Sequence, residues 1–193
     1  LLNRPVWIAA STHKGEDEIL LQAHQVLLQK FDNALLVIVP RHPERFESVY
    51  TLCHSAGLVT ARRSSDEAVE GSCQVLLADT MGELMALFGT AKVAFIGGSL
   101  VTNGGHNMLE AAVWGLPILS GSSVFNFAEI AAGLISAGAM KTTNDAMEIS
   151  AQLLTLFSDA NYAQQMGDAA AQMQDSNRGA LAKLLTIVSR QLP

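Results

Sequence analysis

The stretch ALLVIV, Ala34 to Val39, is a nearly unbroken apolar run. A strand with one wet face alternates apolar and polar residues, whereas a strand covered on both faces reads like this one. Pro40-Arg41-His42-Pro43 follows at once, and Pro43 stands where the first residue of a helix would. The stretch therefore predicts a buried strand of a parallel sheet, a polar turn at its carboxyl end, and a helix running towards Ala56.

The same unit repeats on both sides. Val6 to Ala10 (VWIAA) reads as a strand, and Ser11 to Gly15 as a polar loop. A helix then opens on Glu16-Asp17-Glu18, three acids where the helix dipole favours them. Its apolar stripe is Ile19, Leu20, Ala23, Val26 and Leu27, and it ends near Lys30. Val59 to Arg62 and Val75 to Ala78 read as strands, with Ser64 to Ser72 a surface loop between them. Asp79 to Glu83 turns into a helix over about 83–88, and Lys92 to Ile96 is a fifth strand. Leu116 to Leu119 and an edge strand at Ala139 to Lys141 complete the sheet. A helix starts at Phe125-Asn126-Phe127. Three more cover Asp145 to Phe157, Ala160 to Gln174 and Arg178 to Gln191, with a break at Ser176-Asn177. Strand-helix alternation of this kind predicts an α/β, doubly wound, mostly parallel sheet, Rossmann-like, with residues 1–193 forming one domain.

Such sheets bind ligands beyond the carboxyl ends of their strands. The segments rich in Gly, Ser, Asn, Arg and His fall at that edge: Ser11 to Gly15, Pro40 to Arg45, Asp79 to Glu83, Gly97 to Glu110 and Ser120 to Asn126. The longest reads FIGGSLVTNGGHNMLE, Phe95 to Glu110, a strand, a glycine loop and a helix expected from His106 to about Trp114. It suits an anion held by backbone N–H groups and a helix end, with Glu110 accepting two ribose hydroxyls. It equally suits a turn whose glycines merely allow positive φ. Arg41, directly after the buried strand, is suited to a phosphate or carboxylate, or else pairs with Glu44. Arg45 and Lys14 are weaker candidates for the same task. Met81-Gly82-Glu83 suits the wall of a base pocket, Gly82 allowing close approach, although Glu83 is equally a first-turn acid. Asn126 is a ligand contact or a helix cap, with Phe125 and Phe127 read as core.

Composition narrows the classes. The net charge is −6, which argues against nucleic acid as a partner. Cys53 and Cys73 are too few and too far apart for a disulfide framework and read as core thiols. No run approaches the ~20 apolar residues of a membrane span. No signal peptide is visible, and Arg4-Pro5 leading straight into a strand reads as a domain cut from a longer protein. His13, His42, His54 and His106 lack metal-ligand spacing, so no metal site is expected, and His106 reads as a structural hydrogen-bonding group. GxSxG, GxxxxGK[ST] and an early GxGxxG are absent, which disfavours α/β-hydrolases, P-loop NTPases and ordinary NAD enzymes.

STHKGEDE (Ser11 to Glu18), VPRHPERF (Val39 to Phe46), DTMGEL (Asp79 to Leu84), GGSLVTNGGHNMLEAAVWGLPIL (Gly97 to Leu119) and FNF (Phe125 to Phe127) together resemble the 3-deoxy-D-manno-octulosonic acid (Kdo) transferases of lipopolysaccharide synthesis. The resemblance covers nearly the whole chain, as the C-terminal donor-binding half of a GT-B glycosyltransferase. It implies inverting, metal-independent transfer of Kdo from CMP-Kdo to lipid IVA, with no cofactor. It implies cytidine-nucleotide contacts at Pro40 and Arg41, at Met81, Gly82 and Glu83, and at Asn107, Met108, Leu109 and Glu110. By the same resemblance the catalytic base, the acceptor surface and the membrane association lie in an N-terminal domain outside this chain. The whole protein is then expected at the cytoplasmic face of the bacterial inner membrane, and this fragment to be soluble and inactive alone. Two departures are Met108, where the family usually has proline, and Gly121-Ser122, where it has Gly-Pro; both read as variation within the family. The alternatives are a GT-B-like domain using another nucleotide sugar, and a non-catalytic nucleotide-sugar module.

Overall fold

The computed structural model of the protein describes residues 4–65 and 68–189. Among them, seven strands form one sheet: β1 (Val6–Thr12), β2 (Leu35–Pro40), β3 (Thr60–Arg62), β4 (Val75–Leu77), β5 (Val93–Ile96), β6 (Ile118–Ser120) and β7 (Met140–Thr142). The order is β3-β4-β2-β1-β5-β6-β7, and each pairing is parallel. The helices are α1 (Asp17–Leu28), α2 (Phe46–Ser55), α3 (Leu84–Phe88), α4 (Leu109–Ala112), α5 (Ala128–Ser136), α6 (Ala146–Ser158) and α7 (Ala160–Ser189). The doubly wound parallel sheet is as the sequence predicts.

The apolar runs explain the layering. Side chains alternate across a strand, so a run apolar at every position supplies two cores. In β2, Leu35, Val37 and Val39 enter one core, and Leu36 and Ile38 enter the other. In β1, Val6, Ile8 and Ala10 join the first, and Trp7 and Ala9 the second. Cys53 and Cys73 are both buried, as expected of core thiols. Among the described residues no helix is long and apolar enough to cross a membrane.

Two helix boundaries differ from expectation. The break at Ser176-Asn177 does not occur, and α7 runs on as one helix. Neither residue is a strong breaker, and the Ser176 hydroxyl donates back to the Gln172 carbonyl at 2.9 Å, a bond that keeps serine inside a helix. The expected end of the last helix at Gln191 lies outside the described residues. The helix expected over His106 to Trp114 shrinks to the single turn α4. Trp114 N–H donates to Ala111 and Gly115 N–H to Ala112, so the chain tightens and leaves the helix after Ala112.

His24 of α1 is wholly buried against β1. Its Nδ1 accepts from the Trp7 indole N–H at 3.1 Å, and its Nε2 donates to the Gln74 carbonyl at 2.8 Å. Burial, opposed by the Gln74 bond and aided by Arg4, pushes its pKa down from 6.5 to about 4. A depressed folded-state value means that the unfolded chain binds the extra proton between those limits. Stability is therefore expected to be fully present above pH 6.5 and to fall as pH drops towards 4, by on the order of 3 kcal/mol from this group. Urea unfolding of the wild type and His24→Gln at pH 7 and pH 4.5 checks it, because the variant should lose most of that slope.

Candidate functional site

The sheet order sets where a ligand can sit. From β1 the chain crosses to β2 on one side, while β5 pairs with its other side. The topological switch point thus lies between the carboxyl ends of β1 and β5, the place where open α/β sheets bind ligands. The loop after β1 carries His13 to Glu16, and the loop after β5 carries Gly97 to Met108.

A buried carboxylate ties these loops together. Glu16 is wholly inaccessible. Its Oε2 accepts from His13 N–H at 2.8 Å and Gly98 N–H at 2.7 Å, and its Oε1 from Ser99 N–H at 3.0 Å and Leu100 N–H at 2.9 Å. This corrects the sequence reading twice. Glu16 is not a dipole acid at a helix start, and the glycine-loop amides at Gly98 to Leu100 are not open to an external anion, because the protein's own carboxylate fills them. Gly105 N–H is also spent, on the Gly98 carbonyl, and Gly104 N–H reaches the Ser123 hydroxyl at 3.2 Å.

Asp17 is likewise taken. It is buried, pairs with Arg45, and accepts from the Thr12 hydroxyl at 2.7 Å. Arg45 also donates to the Thr12 carbonyl at 2.6 Å, so it is a strut between the β1 and β2 ends and not an anion receptor. Arg62 donates to Asp79 at 2.7 Å and Glu47 at 2.9 Å, and Arg63 to Glu83 at 3.0 Å. Burial would raise the Asp79 carboxyl, but Ser64 and Arg62 outweigh it and hold the group below its ordinary value. Arg41 differs. Its backbone N–H donates to the Thr12 carbonyl at 3.0 Å, while its exposed side chain makes no hydrogen bond or ion pair among the described residues. Lys14 is exposed and uncommitted in the same sense.

The remaining predicted residues line the same edge. Pro40 ends β2 and is buried. Met81 is 60% exposed, and Gly82 sits at φ +85° with nothing within 4 Å of where a Cβ would lie, an open left-handed turn that a flat base can approach. Glu83 is held by Arg63 and the Thr80 hydroxyl, so its carboxylate is tied into the turn. That turn leads into α3, which packs against β1 and α4.

Asn107 caps α4: its Oδ1 accepts from Leu109 N–H at 3.1 Å, and its Nδ2 lies 3.4 Å from Glu110 Oε1. The other Glu110 oxygen makes no hydrogen bond among the described residues, which suits it to a ribose hydroxyl. Met108 is fully buried in the core, so its side chain is turned from the edge and only its backbone is available there, while Leu109 is half-buried against that core. Phe125 is 65% exposed, contrary to its reading as core, whereas Phe127 packs on the core. Asn126 Nδ2 donates to the Asn103 carbonyl at 2.8 Å and its N–H to Gly104 at 3.1 Å, so Asn126 pins the glycine loop.

Sequence reasoning missed one cluster. The His13 and His106 rings meet edge to edge across the switch point, centroids 5.0 Å apart and 11° from parallel, with Nε2 to Nε2 at 2.8 Å. His13 also meets His42 edge-on at 5.3 Å. Burial first, then His13, Arg41 and His42, push His106 down to about 4, and burial also lowers His13. Among the described residues no three His, Cys, Asp or Glu side chains gather as a metal site would need.

With this geometry in view, the chain compares with known proteins as follows. The family model for glycosyl transferases group 1 matches residues 9–173. The chain belongs to that family. This glycosyltransferase domain is 42% identical over 191 residues, 98% of its length, to the 3-deoxy-D-manno-octulosonic acid transferase of Haemophilus influenzae, and spans 45% of that protein. It is 36% identical to the enzyme of the same name from Bordetella pertussis, with 94% of the chain matched to 44% of that protein. The chain thus spans about half the length of the curated relatives it matches. Among solved structures, the C-terminal CMP-Kdo binding domain of WaaA from Acinetobacter baumannii superposes with a TM-score of 0.85 at 36% identity, covering 89% of each chain. The resemblance to Kdo transferases read from the motifs is borne out by these relatives, and the fold is that of a GT-B C-terminal domain.

Proposed function

We propose that this chain is the donor-binding half of an inverting glycosyltransferase that moves Kdo from CMP-Kdo to lipid IVA in lipopolysaccharide inner-core synthesis. The observation that carries the reading is how the basic residues at the carboxyl edge are used. Arg45, Arg62 and Arg63 are bound to protein carboxylates, and Arg41 is left open beside the switch point. The nucleotide and sugar in this reading are supported by the likeness to the CMP-Kdo binding domain of WaaA and to the Kdo transferases.

In this account Arg41 meets the phosphate, Glu110 accepts ribose hydroxyls, and the Met81 to Glu83 turn receives the base. A glutamate in the half that this chain does not span removes the proton from the acceptor hydroxyl. That oxygen attacks the anomeric carbon from the face opposite the phosphate, the carbon–phosphate-oxygen bond breaks, and CMP departs with inversion. Negative charge grows on the departing phosphate, where the Arg41 guanidinium stabilises it more than in the ground state. No cofactor or metal takes part, so chelation with EDTA leaves the whole enzyme's turnover unchanged. The acceptor and the cytoplasmic face of the inner membrane are reached through the other half.

A competition titration tests the nucleotide. CMP is expected to bind this chain more tightly than UMP or UDP by tenfold or more, about 1.4 kcal/mol. Tighter binding of UDP would replace the reading with a UDP-sugar transferase. A whole protein that binds CMP-Kdo yet transfers nothing would make it a binding module.

A further inference from the structure

The paired imidazoles have a directionality that nothing in the proposed site yet uses. Asn103 Nδ2 lies 2.7 Å from His13 Nδ1, and an amide NH2 can only donate, so His13 Nδ1 accepts. The His13 proton is then on Nε2 and is donated across 2.8 Å to His106 Nε2. A neutral imidazole that accepts at Nε2 carries its own proton on Nδ1. His106 Nδ1 has no hydrogen-bond partner among the described residues, and it is absent from their buried, unpartnered atoms, so solvent reaches it. Gly98 makes room for the pair: a Cβ there would come within 3.1 Å of His106 and 3.4 Å of His13, at φ +69°. Arg41, His42 and Arg45 lie near enough to depress His13, and Glu16 near enough to oppose them. Arg45 is held by Asp17, so the open cation beside the pair is Arg41, which can share an anion with His106 Nδ1.

We propose that His106 donates a hydrogen bond from Nδ1 to an acidic oxygen of the nucleotide-sugar donor, and that His13 and Asn103 are positioning residues that fix the tautomer this requires. The inference rests on the donor reading above and adds a binding residue to it. Burial keeps both rings neutral near pH 7, which is what a one-donor, one-acceptor pair demands. The donor offers two sources of such an oxygen, the phosphate and the sugar carboxylate.

The test is long-range 15N–1H imidazole NMR on this chain, with affinities measured in parallel. The free protein is expected to show His13 protonated on Nε2 and His106 on Nδ1. CMP but not cytidine should shift the His106 Nδ1 resonance if the phosphate is the acceptor, and free Kdo should do so if the carboxylate is. His106→Asn places an amide NH2 near the Nδ1 position and should keep CMP affinity within about threefold. His106→Ala should lose roughly tenfold towards whichever of CMP and free Kdo shifts the ring, the worth of one hydrogen bond to a charged group. Asn103→Ala should scramble the tautomers and weaken CMP without lowering stability. The opposite tautomers in the free protein would overturn the inference. So would a His106 that stays silent to CMP and to free Kdo alike while CMP shifts Arg41 and Glu110, and the donor reading would then stand. Absence of binding by CMP and Kdo alike would overturn both.

Discussion

Glu16→Ala is expected to destabilise the domain by on the order of 3–5 kcal/mol. The substitution strips the acceptor from four backbone amides, of which those of Gly98 and Ser99 are buried. An unsatisfied buried donor costs ~1–3 kcal/mol, and water entering the space left by the carboxylate recovers part of that. Glu16→Gln should cost less, about 2 kcal/mol, because one of its two terminal atoms still accepts while the other turns an NH2 towards donors. Against the ~5–15 kcal/mol of an ordinary domain, the alanine variant approaches the threshold of folding. Urea unfolding reads the loss directly, and amide hydrogen exchange locates it, since Gly98, Ser99 and Leu100 should lose protection ahead of the β1 and β2 amides. Wild-type midpoints and protection in Glu16→Ala would mean that the loops are held by something else.

Arg41→Ala has the opposite profile. Its guanidinium makes no hydrogen bond or ion pair among the described residues, so stability should stay within ~0.5 kcal/mol. CMP affinity should fall by tenfold or more, since a hydrogen bond to a charged group contributes ~1.5–3 kcal/mol. Arg41→Lys should recover only part of this, because an ammonium lacks the planar fork that matches phosphate. Arg45→Ala is the contrasting control: it strands the buried Asp17 and should lower stability. Calorimetric titration with CMP, paired with unfolding curves, separates the two arginines. If Arg41→Ala bound CMP as the wild type does, the phosphate position assigned here would be wrong.

Those two expectations also mark where the sequence could be read. The sheet was legible because an apolar run such as Ala34 to Val39 admits few alternatives to a strand buried on both faces, and the polar loops then fall at one edge by topology alone. Arg41 was legible for the same reason, standing at the first turn after such a strand. Glu16 was not. A glutamate opening a helix satisfies the dipole rule so well that nothing local points 82 residues ahead to Gly98. His13 and His106 are 93 residues apart and meet only because β1 and β5 are neighbours, an order that alternation of strands and helices does not specify. Met108 looked like part of a ligand-facing motif, but side-chain direction on a one-turn helix depends on where α4 lands against the core. Asp17 and Glu83 show the same limit: their charges also meet partners supplied by other segments, Arg45 and Arg63. What the local pattern missed is thus a class of contact, polar pairs joining loops distant in sequence, and in this fold those pairs shape the rim of the site.

The central claim is that the carboxyl edge around Arg41 and Glu110 forms a site for the donor nucleotide. Amide NMR of this chain during titration with CMP tests it most directly. Two or three charge-assisted contacts and a stacked base sum to about 4–6 kcal/mol, a Kd of about 0.1–1 mM. Saturable shifts in that range are expected at Arg41, Met81 to Glu83 and Asn107 to Glu110. Silence at those residues up to several millimolar CMP, or saturable shifts confined to the opposite edge around Lys92, Gly115 and Gln164, would contradict it.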